Sequence, residues 1–300
     1  MPGVLNTLTI TPFEGSTIGA RVDGLDFSRP IPDEVSNELK AALHEHGVLV
    51  ARSTNVDDHT MIALGKKWGP LDNVTAHKKA GRKMRLDIDE IFDVSNIDPE
   101  DNLIAEADAL RVSSARGNAL WHADGAYNPR RSGISIIRAV ELPPKGTGGE
   151  TVFLDSRTAY EDLPDARKKE IQNYVGMNTL YWNRIQANQT WGCSSQSIAR
   201  SNFYIGSYNH HIEGLPIDEG MRITHELRSH VEQDKYKLTV SWENPGDMAF
   251  WDNTAVLHRA TIGAYAGKYR RDMRRISTFD DSKWAYGEND PNNSQQIGLK

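Results

Sequence analysis

The sequence has almost no cysteine: Cys193 is the single one in 300 residues. A disulfide scaffold, a Cys-rich zinc site and an iron–sulfur cluster are therefore excluded within one chain. Cys193 itself has no evident base beside it and no argument for nucleophilic work. Long hydrophobic runs are missing too. No segment approaches the ~18 apolar residues of a membrane helix, and "MPGVLNTLTITPFEG" lacks the basic stretch and apolar core of a signal peptide. Positive charge is short as well: 35 Lys and Arg stand against 41 Asp and Glu, a net charge of −6. No global basic field exists for a phosphate backbone. The local run "HKKAGRKMR" is followed directly by "LDIDEIFD" and reads as a solvated loop. The expectation is a soluble cytoplasmic protein with no nucleic-acid and no membrane partner; a homo-oligomer is neither required nor excluded.

What is present is an ordinary globular composition, 38% hydrophobic and 25% charged. No repeat and no Pro/Gly/Ser linker divides the chain, so one domain over 1–282 is expected, with a flexible tail over 283–300. Residues 33–46 predict a helix capped by Asp33, with Val35, Leu39, Ala42, Leu43 and His46 on its apolar stripe and Gly47 as its stop. A second helix runs from about Asp57 to Trp68. Later segments read as strands: "EIFDVSNI", "GISIIRAVEL", "TVFLD", "NFYIGSY", "KLTVSWE", "DMAFWD" and "DMRRISTF". Helical stretches at 156–174 and 218–233 interrupt them. Many short strands with helices outside predict a mainly β fold with flanking helices, a sandwich or jelly-roll barrel. The polar stretch 72–118, with little regular structure, predicts a lid-like insertion.

"LWHADGAYNPRR" holds His122 and Asp124, one residue apart. In an extended chain, side chains at i and i+2 share a face, so both can reach one ion. His230 and Glu232 show the same spacing, but on a helix positions two apart diverge by ~200° and cannot share a metal. "GDMAFWDNTAVLHRA" ends at His258, either a third ligand or a satisfied core histidine. Two imidazoles and one carboxylate on one side of an ion suit non-haem Fe(II), with the opposite positions open. "GTGGETVFLD" sets Thr151 after a glycine turn at a strand start. In "YRRDMRRISTF" Arg271, Met273 and Arg275 share one face. An arginine buried by a barrel requires an anionic partner, which a dicarboxylate can supply through a bidentate contact.

The ordered set "GNALWHAD", "SIIRAVELPPKGTGGETVF", "AYEDLP", "PGDMAFWDNTAVLHRA" and "RRDMRRIS" resembles the family of taurine dioxygenase and dichlorophenoxyacetate dioxygenase. The N-terminal "ITPFEGSTIGARVDGLDFSRPI" and "HGVLVAR" fit as well, so the resemblance runs from about residue 8 to 279. "FYIGSYNHHIEGLPIDEG" leans toward the dichlorophenoxyacetate branch. The resemblance implies a double-stranded β-helix and Fe(II), 2-oxoglutarate and dioxygen as cofactors and co-substrates. It implies that His122, Asp124 and His258 bind iron and that Thr151 and Arg271 hold the distal carboxylate of 2-oxoglutarate. Arg275 and Asn118 fall where the family contacts substrate, and His77 in the long loop is a further pocket candidate. The loop after His258 is about two residues longer than in taurine dioxygenase, which brings Arg270 into contention; parity with Met273 selects Arg271.

The activity so implied is oxidation of a small acidic substrate (a carboxylate, an amino acid or a sulfonate) coupled to decarboxylation of 2-oxoglutarate. Hydroxylation, cleavage, desaturation and ring closure differ only after hydrogen abstraction. Two alternatives stand beside it: an iron-dependent oxidase that does not use 2-oxoglutarate, and a non-catalytic β-barrel that binds a small acid. Thr151 with Arg271 argues against the first, and the complete metal set against the second. Trp121 and Trp251 are read as packing residues. His210 and His211, as strand neighbours, are expected on opposite faces, unable to meet one ion.

Overall fold

The computed structural model describes residues 8–79, 81, 83–104, 109–188, 198–202 and 205–291. Its strands are β1 (Thr9–Pro12), β2 (Ala20–Asp23), β3 (Val48–Ala51), β4 (Phe92–Asp93), β5 (Ser132–Glu141), β6 (Thr151–Asp155) and β7 (Val175–Thr179). They continue with β8 (Ile198–Asn202), β9 (Asn209–Ile212), β10 (Lys237–Val240), β11 (Met248–Asp252), β12 (Val256–Ala260) and β13 (Asp272–Phe279). The helices are α1 (Asp33–His46), α2 (Asp58–Trp68), α3 (Thr75–Lys79), α4 (Ala109–Asn118), α5 (Ser156–Glu161), α6 (Asp165–Ile171), α7 (Leu180–Asn188) and α8 (Ile217–Val231). Among the described residues no helix is long and apolar enough to cross a membrane.

Seven strands pair in the order β1-β2-β3-β11-β5-β13-β4, and a three-stranded sheet, β10-β6-β12, faces them. Alternation along the strands explains the layering. Val48 and Val50 point between the sheets, with Phe153, Ala249, Trp251 and Met273, whereas Leu49, Ala51, Met248 and Phe250 point outward. The outward set is covered by Leu39 and Leu43 of α1 and by Met61, Leu64 and Trp68 of α2. Behind the smaller sheet, Val152, Leu154 and Leu257 carry Ala159 of α5 and Ile223 and Leu227 of α8. The result is the expected jelly-roll core with flanking helices. A third sheet, β8-β7-β9, stands beside it, and β9 packs on α8.

Several local expectations are corrected. Asp33 does not cap α1: Pro32 holds that position and Asp33 is the first helical residue, with no side-chain cap bond. Asp57 does cap α2, in a reciprocal box with Thr60. The stretch 156–174 is two helices, because Pro164 ends one hydrogen-bond ladder and begins the next. "EIFDVSNI" yields only the two residues of β4. "NFYIGSY" is not a strand over 205–208. There the chain turns, with Ser207 N donating to Trp121 O at 2.6 Å and Gly206 packed on the His122 backbone. The tail is not frayed over 283–291: Arg131 N donates to Ala285 O at 3.0 Å and the Asn289 amide to Pro129 O at 3.3 Å. The remainder of the tail and Cys193 lie outside the described residues.

The 72–118 segment holds more structure than its polarity predicts, including the ten-residue α4. A chain of charges fastens its first half. Arg85 donates to Asp93 at 2.9 Å and to Asp272 at 2.7 Å. Arg274 donates to the same Asp272 and to Asp58, which also accepts from Arg138 at 2.6 Å. These charges are largely removed from water and alternate in sign, the arrangement in which buried ions are tolerated. The β13–β5 register shifts by a bulge between Asp272 and Met273.

Candidate metal centre and active site

His258 sits on β12, and a single antiparallel bridge joins it to His122, whose N and O bond His258 O and N at 3.0 and 2.8 Å. Residues 120–124 are thus extended only at His122, after which the chain turns and brings Asp124 back toward both rings. His122 Nε2 lies 3.9 Å from Asp124 Oδ1, and His258 Nε2 lies 3.7 Å from Asp124 Oδ2. The three ligand atoms fall within 4.8 Å of one another, and all three residues are buried. Among the described residues no other His, Cys, Asp or Glu group of three converges in this way. His211 and Glu213, a His-x-acid pair in and just after a strand, therefore do not form a second centre, and His230 Nε2 instead bonds Ala159 O at 2.7 Å.

The surroundings prepare these atoms for a cation. Burial holds the His122 and His258 imidazoles below their ordinary range, His258 well below, so both are neutral near pH 7. The Nδ1 atom of His122 is 2.7 Å from Leu120 O, which fixes its proton there and leaves the Nε2 lone pair free. Burial would raise the Asp124 carboxyl, but Arg275, His258 and His122 outweigh it and hold it down to about 2. Its Oδ2 accepts from Ser135 Oγ at 2.8 Å and its Oδ1 from Arg275 at 2.7 Å. Ser135 in turn accepts from Asn253 at 2.9 Å, and Asn253 accepts from Trp251 Nε1 at 3.0 Å and from Asp124 N at 3.0 Å. Trp251 thus packs, as expected, and also orients this chain. Trp121 is buried beneath the Arg259 guanidinium, 4.4 Å from its ring centre.

A second feature lies along the same face. β6 and β12 pair with Phe153 opposite His258 and Thr151 opposite Ala260. Thr151 and His258 therefore share a face, about 7 Å apart along the strands. Against Gly149, just before β6, Arg271 is buried, 5% exposed. Among the described residues it has no carboxylate partner: it donates to Gly149 O at 3.0 Å and more weakly to Val94 O, and its Nε is unpaired. Burial pushes it below the usual guanidinium range, opposed weakly by Tyr265 and Glu150. Gly149 has φ +95°, and a Cβ there would stand 3.1 Å from Arg271 Nε. Arg270, by contrast, faces outward to Glu141 and Asp101. A buried cation without a carboxylate partner at Gly149, just before the strand that pairs with His258, fits a dianion whose other end meets the metal.

The remaining candidates are placed less centrally. Arg275, expected on the substrate, lies on Asp124 itself, with its Nε unpaired. Asn118 ends α4, half-buried, and His77 lies half-buried in α3; His77 does not join the converging group. The expectation for His210 and His211 is corrected: their Nδ1 atoms are 2.9 Å apart, because the β7–β9 register shifts between Met177 and Asn178 and turns both rings to one side. Residues not singled out in the sequence also border the centre. The Tyr208 ring is 5.8 Å from His122 and edge-on to Tyr127 at 4.8 Å. Arg184, Arg275 and Asp124 are the charges that act on both phenols, and Asp72 acts on Tyr127 as well. Ser135 and Asn253 could have been sought by strand parity and by the Asx turn before His258; Tyr208 carried no such signal.

Residues 9–277 match the family described as taurine catabolism dioxygenase TauD, TfdA family. The chain is 32% identical over 274 residues to the α-ketoglutarate-dependent 2,4-dichlorophenoxyacetate dioxygenase of Burkholderia sp. (strain RASC), covering 86% of this chain and 90% of that protein. It is 29% identical over 305 residues to pentalenolactone F synthase of Streptomyces avermitilis, covering 91% and 95%. Among solved structures, AAD-2 in complex with Mn(II) and N-oxalylglycine shares its fold at a TM-score of 0.80 and 24% identity, over 92% of this chain and 98% of that one.

Proposed function

Because the chain belongs to the TauD/TfdA family, on its dichlorophenoxyacetate side, and is an Fe(II)- and 2-oxoglutarate-dependent dioxygenase, we propose a role for each residue of the site. His122, Asp124 and His258 hold the iron; Thr151 and Arg271 hold the far carboxylate of 2-oxoglutarate. The primary substrate is a small organic acid. The single observation that carries this reading is the buried Arg271 without a carboxylate partner, bonded to Gly149 just before the strand that pairs with His258, together with three converging ligands.

When bound, iron, 2-oxoglutarate and dioxygen would supply the oxidation: dioxygen takes up four electrons, two from the 2-oxo acid as it goes to succinate and carbon dioxide and two from a substrate C–H. The protein's part is placement. Leu120 O fixes the His122 tautomer, Ser135 and Arg275 aim the Asp124 carboxylate, and Gly149 leaves room for the guanidinium. Tyr127 and Tyr208 wall the metal from bulk water, which strengthens the charge interactions inside. Hydroxylation, cleavage, desaturation and ring closure would differ only in the fate of the substrate after hydrogen abstraction.

Succinate release from 2-oxoglutarate with Fe(II), over a panel of small acids, tests the reading. Wild type should release it and His122→Ala should not. Oxygen uptake that needs iron but not 2-oxoglutarate would instead establish the oxidase. Failure of the wild type to bind both Mn(II) and 2-oxoglutarate would refute the assignment.

A further inference from the structure

β6 is the middle strand of the smaller sheet, with its backbone paired to β10 on one side and β12 on the other. On the face toward the larger sheet its partners fall in rows. Leu238, Phe153 and His258 make one row, and Val240, Thr151 and Ala260 make the next. Trp242 stands two residues past Val240, on the same side of the chain, which makes it a diagonal neighbour of Thr151. Its ring is half-buried against the cluster that holds Phe153, Val240 and Met273. Its Nε1 donates to Thr151 Oγ1 at 3.3 Å.

An indole N–H can only donate, whereas a hydroxyl has one proton and two lone pairs. The indole therefore holds Thr151 as an acceptor on the Trp242 side and turns the hydroxyl proton away from it. Thr151 is buried, and among the described residues its hydroxyl donates to no protein acceptor. Two residues earlier, Gly149 O accepts from Arg271, the buried cation without a carboxylate partner. A proton to give and a cation to neutralise, at neighbouring positions of one chain, are complementary to the same kind of group, a carboxylate. A hydroxyl that already accepts a hydrogen bond is also the better donor.

We infer that Trp242 is a positioning residue for the co-substrate: it acts through Thr151, holding the hydroxyl so that its proton is presented to the distal carboxylate of 2-oxoglutarate. The inference rests on the dioxygenase reading above, in which Thr151 and Arg271 hold that carboxylate. Without the indole N–H the hydroxyl is free to rotate and to present a lone pair, which repels an anion. Packing and hydrogen bonding are separable at this position, because phenylalanine keeps a ring and loses the donor.

The test is calorimetry on the full chain, with Mn(II) in place of Fe(II). Trp242→Phe should weaken 2-oxoglutarate about 2- to 12-fold, the value of one ordinary hydrogen bond. Thr151→Val should weaken it about 10- to 150-fold, the value of a bond to a charged group. Mn(II) affinity measured without 2-oxoglutarate should be unchanged in both. In the Thr151→Val background Trp242→Phe should have no further effect, whereas in Thr151→Ser, which keeps the hydroxyl, its effect should return. A purely structural role for the ring would not follow the hydroxyl in this way. Should either variant fail to unfold cooperatively, Trp242→Leu or Thr151→Ala takes its place in the cycle. Undiminished 2-oxoglutarate affinity in Trp242→Phe, a loss that persists in full without the Thr151 hydroxyl, or an equal loss of Mn(II) affinity would each overturn the inference. A wild type that binds Mn(II) but no 2-oxoglutarate would instead remove the reading on which it rests, and the inference with it.

Discussion

Arg271→Met separates two free energies that most substitutions mix. In the protein without co-substrate, Arg271 is a buried cation with two carbonyl acceptors, one of them at 3.4 Å, and an unpaired Nε. Methionine fills the same space and removes a charge whose burial costs several kcal/mol before compensation. Loss of the two carbonyl bonds offsets part of that gain, so the midpoint of thermal unfolding should rise or stay within about 4 °C of wild type. With 2-oxoglutarate the sign reverses. Truncating one partner of a buried charge pair costs about 2–5 kcal/mol, or about 30- to 5,000-fold in affinity. At 2-oxoglutarate equal to 100 times the wild-type Kd, wild type gains about 2.7 kcal/mol of stability and the variant no more than about 0.9. Thermal unfolding in Mn(II), with and without 2-oxoglutarate, reads both quantities from one preparation. A variant that melts 10 °C lower without co-substrate, yet keeps the full 2-oxoglutarate shift, would refute the reasoning on both counts.

Three further outcomes are expected. Ser135→Ala removes the donor to Asp124 Oδ2 and should weaken Mn(II) binding about 10- to 100-fold by calorimetry; unchanged affinity would mean the serine does not orient the carboxylate. Gly149→Ala forces a side chain onto φ +95° and against Arg271 Nε, so it should cost about 1–3 kcal/mol of stability and raise KM for 2-oxoglutarate alone; equal effects on both substrates would locate the damage elsewhere. His44 is raised by its bond to Asp252, and Asp252, although burial opposes it, is lowered by His44 and Thr254. The histidine contribution is present below pH ~6.5 and fades as pH rises through the raised value, while the aspartate contribution is present above pH ~3.9 and fades below it. Asp252→Asn should therefore flatten the stability loss that urea titrations show between about pH 6 and 8; an unaltered slope would exclude this pair as its source.

The parts of this site that the sequence makes legible are those tied to periodicity. His122 and Asp124 are two apart, Thr151 follows a glycine turn, and "DMRRISTF" coincides with β13 at both ends. Arg271 was separable from Arg270 because the parity of Met273 decides which side chain enters the barrel, and the buried and exposed placements agree with it. Periodicity fails where the register shifts. The bulge at β9 puts both His210 and His211 on one side, and the turn at 205–208 replaces a strand whose apolar letters match one. It also says nothing of non-local pairing. Arg275 reaches Asp124 across 151 positions of sequence, and Leu71 bridges Thr278 of β13 from the other end of the chain. Proline accounts for the divided helix at 156–174, a signal present in the sequence and outweighed there by helical composition.

The extra residue opposite the Asp272–Met273 step, Val140 of β5, works as a slip joint. Upstream of it, the connection from His258 can lengthen or shorten, because slack is absorbed before the strand locks onto β5. Downstream the pairing is continuous from Met273 to Ser277. Adding or deleting one residue just after Met273 would turn the side chains up to Ser277 to the other face, withdrawing Arg275 from Asp124 and Ser277 from Ser135 in one stroke. Variation among chains of this architecture should accordingly be free in length before the joint and fixed after it.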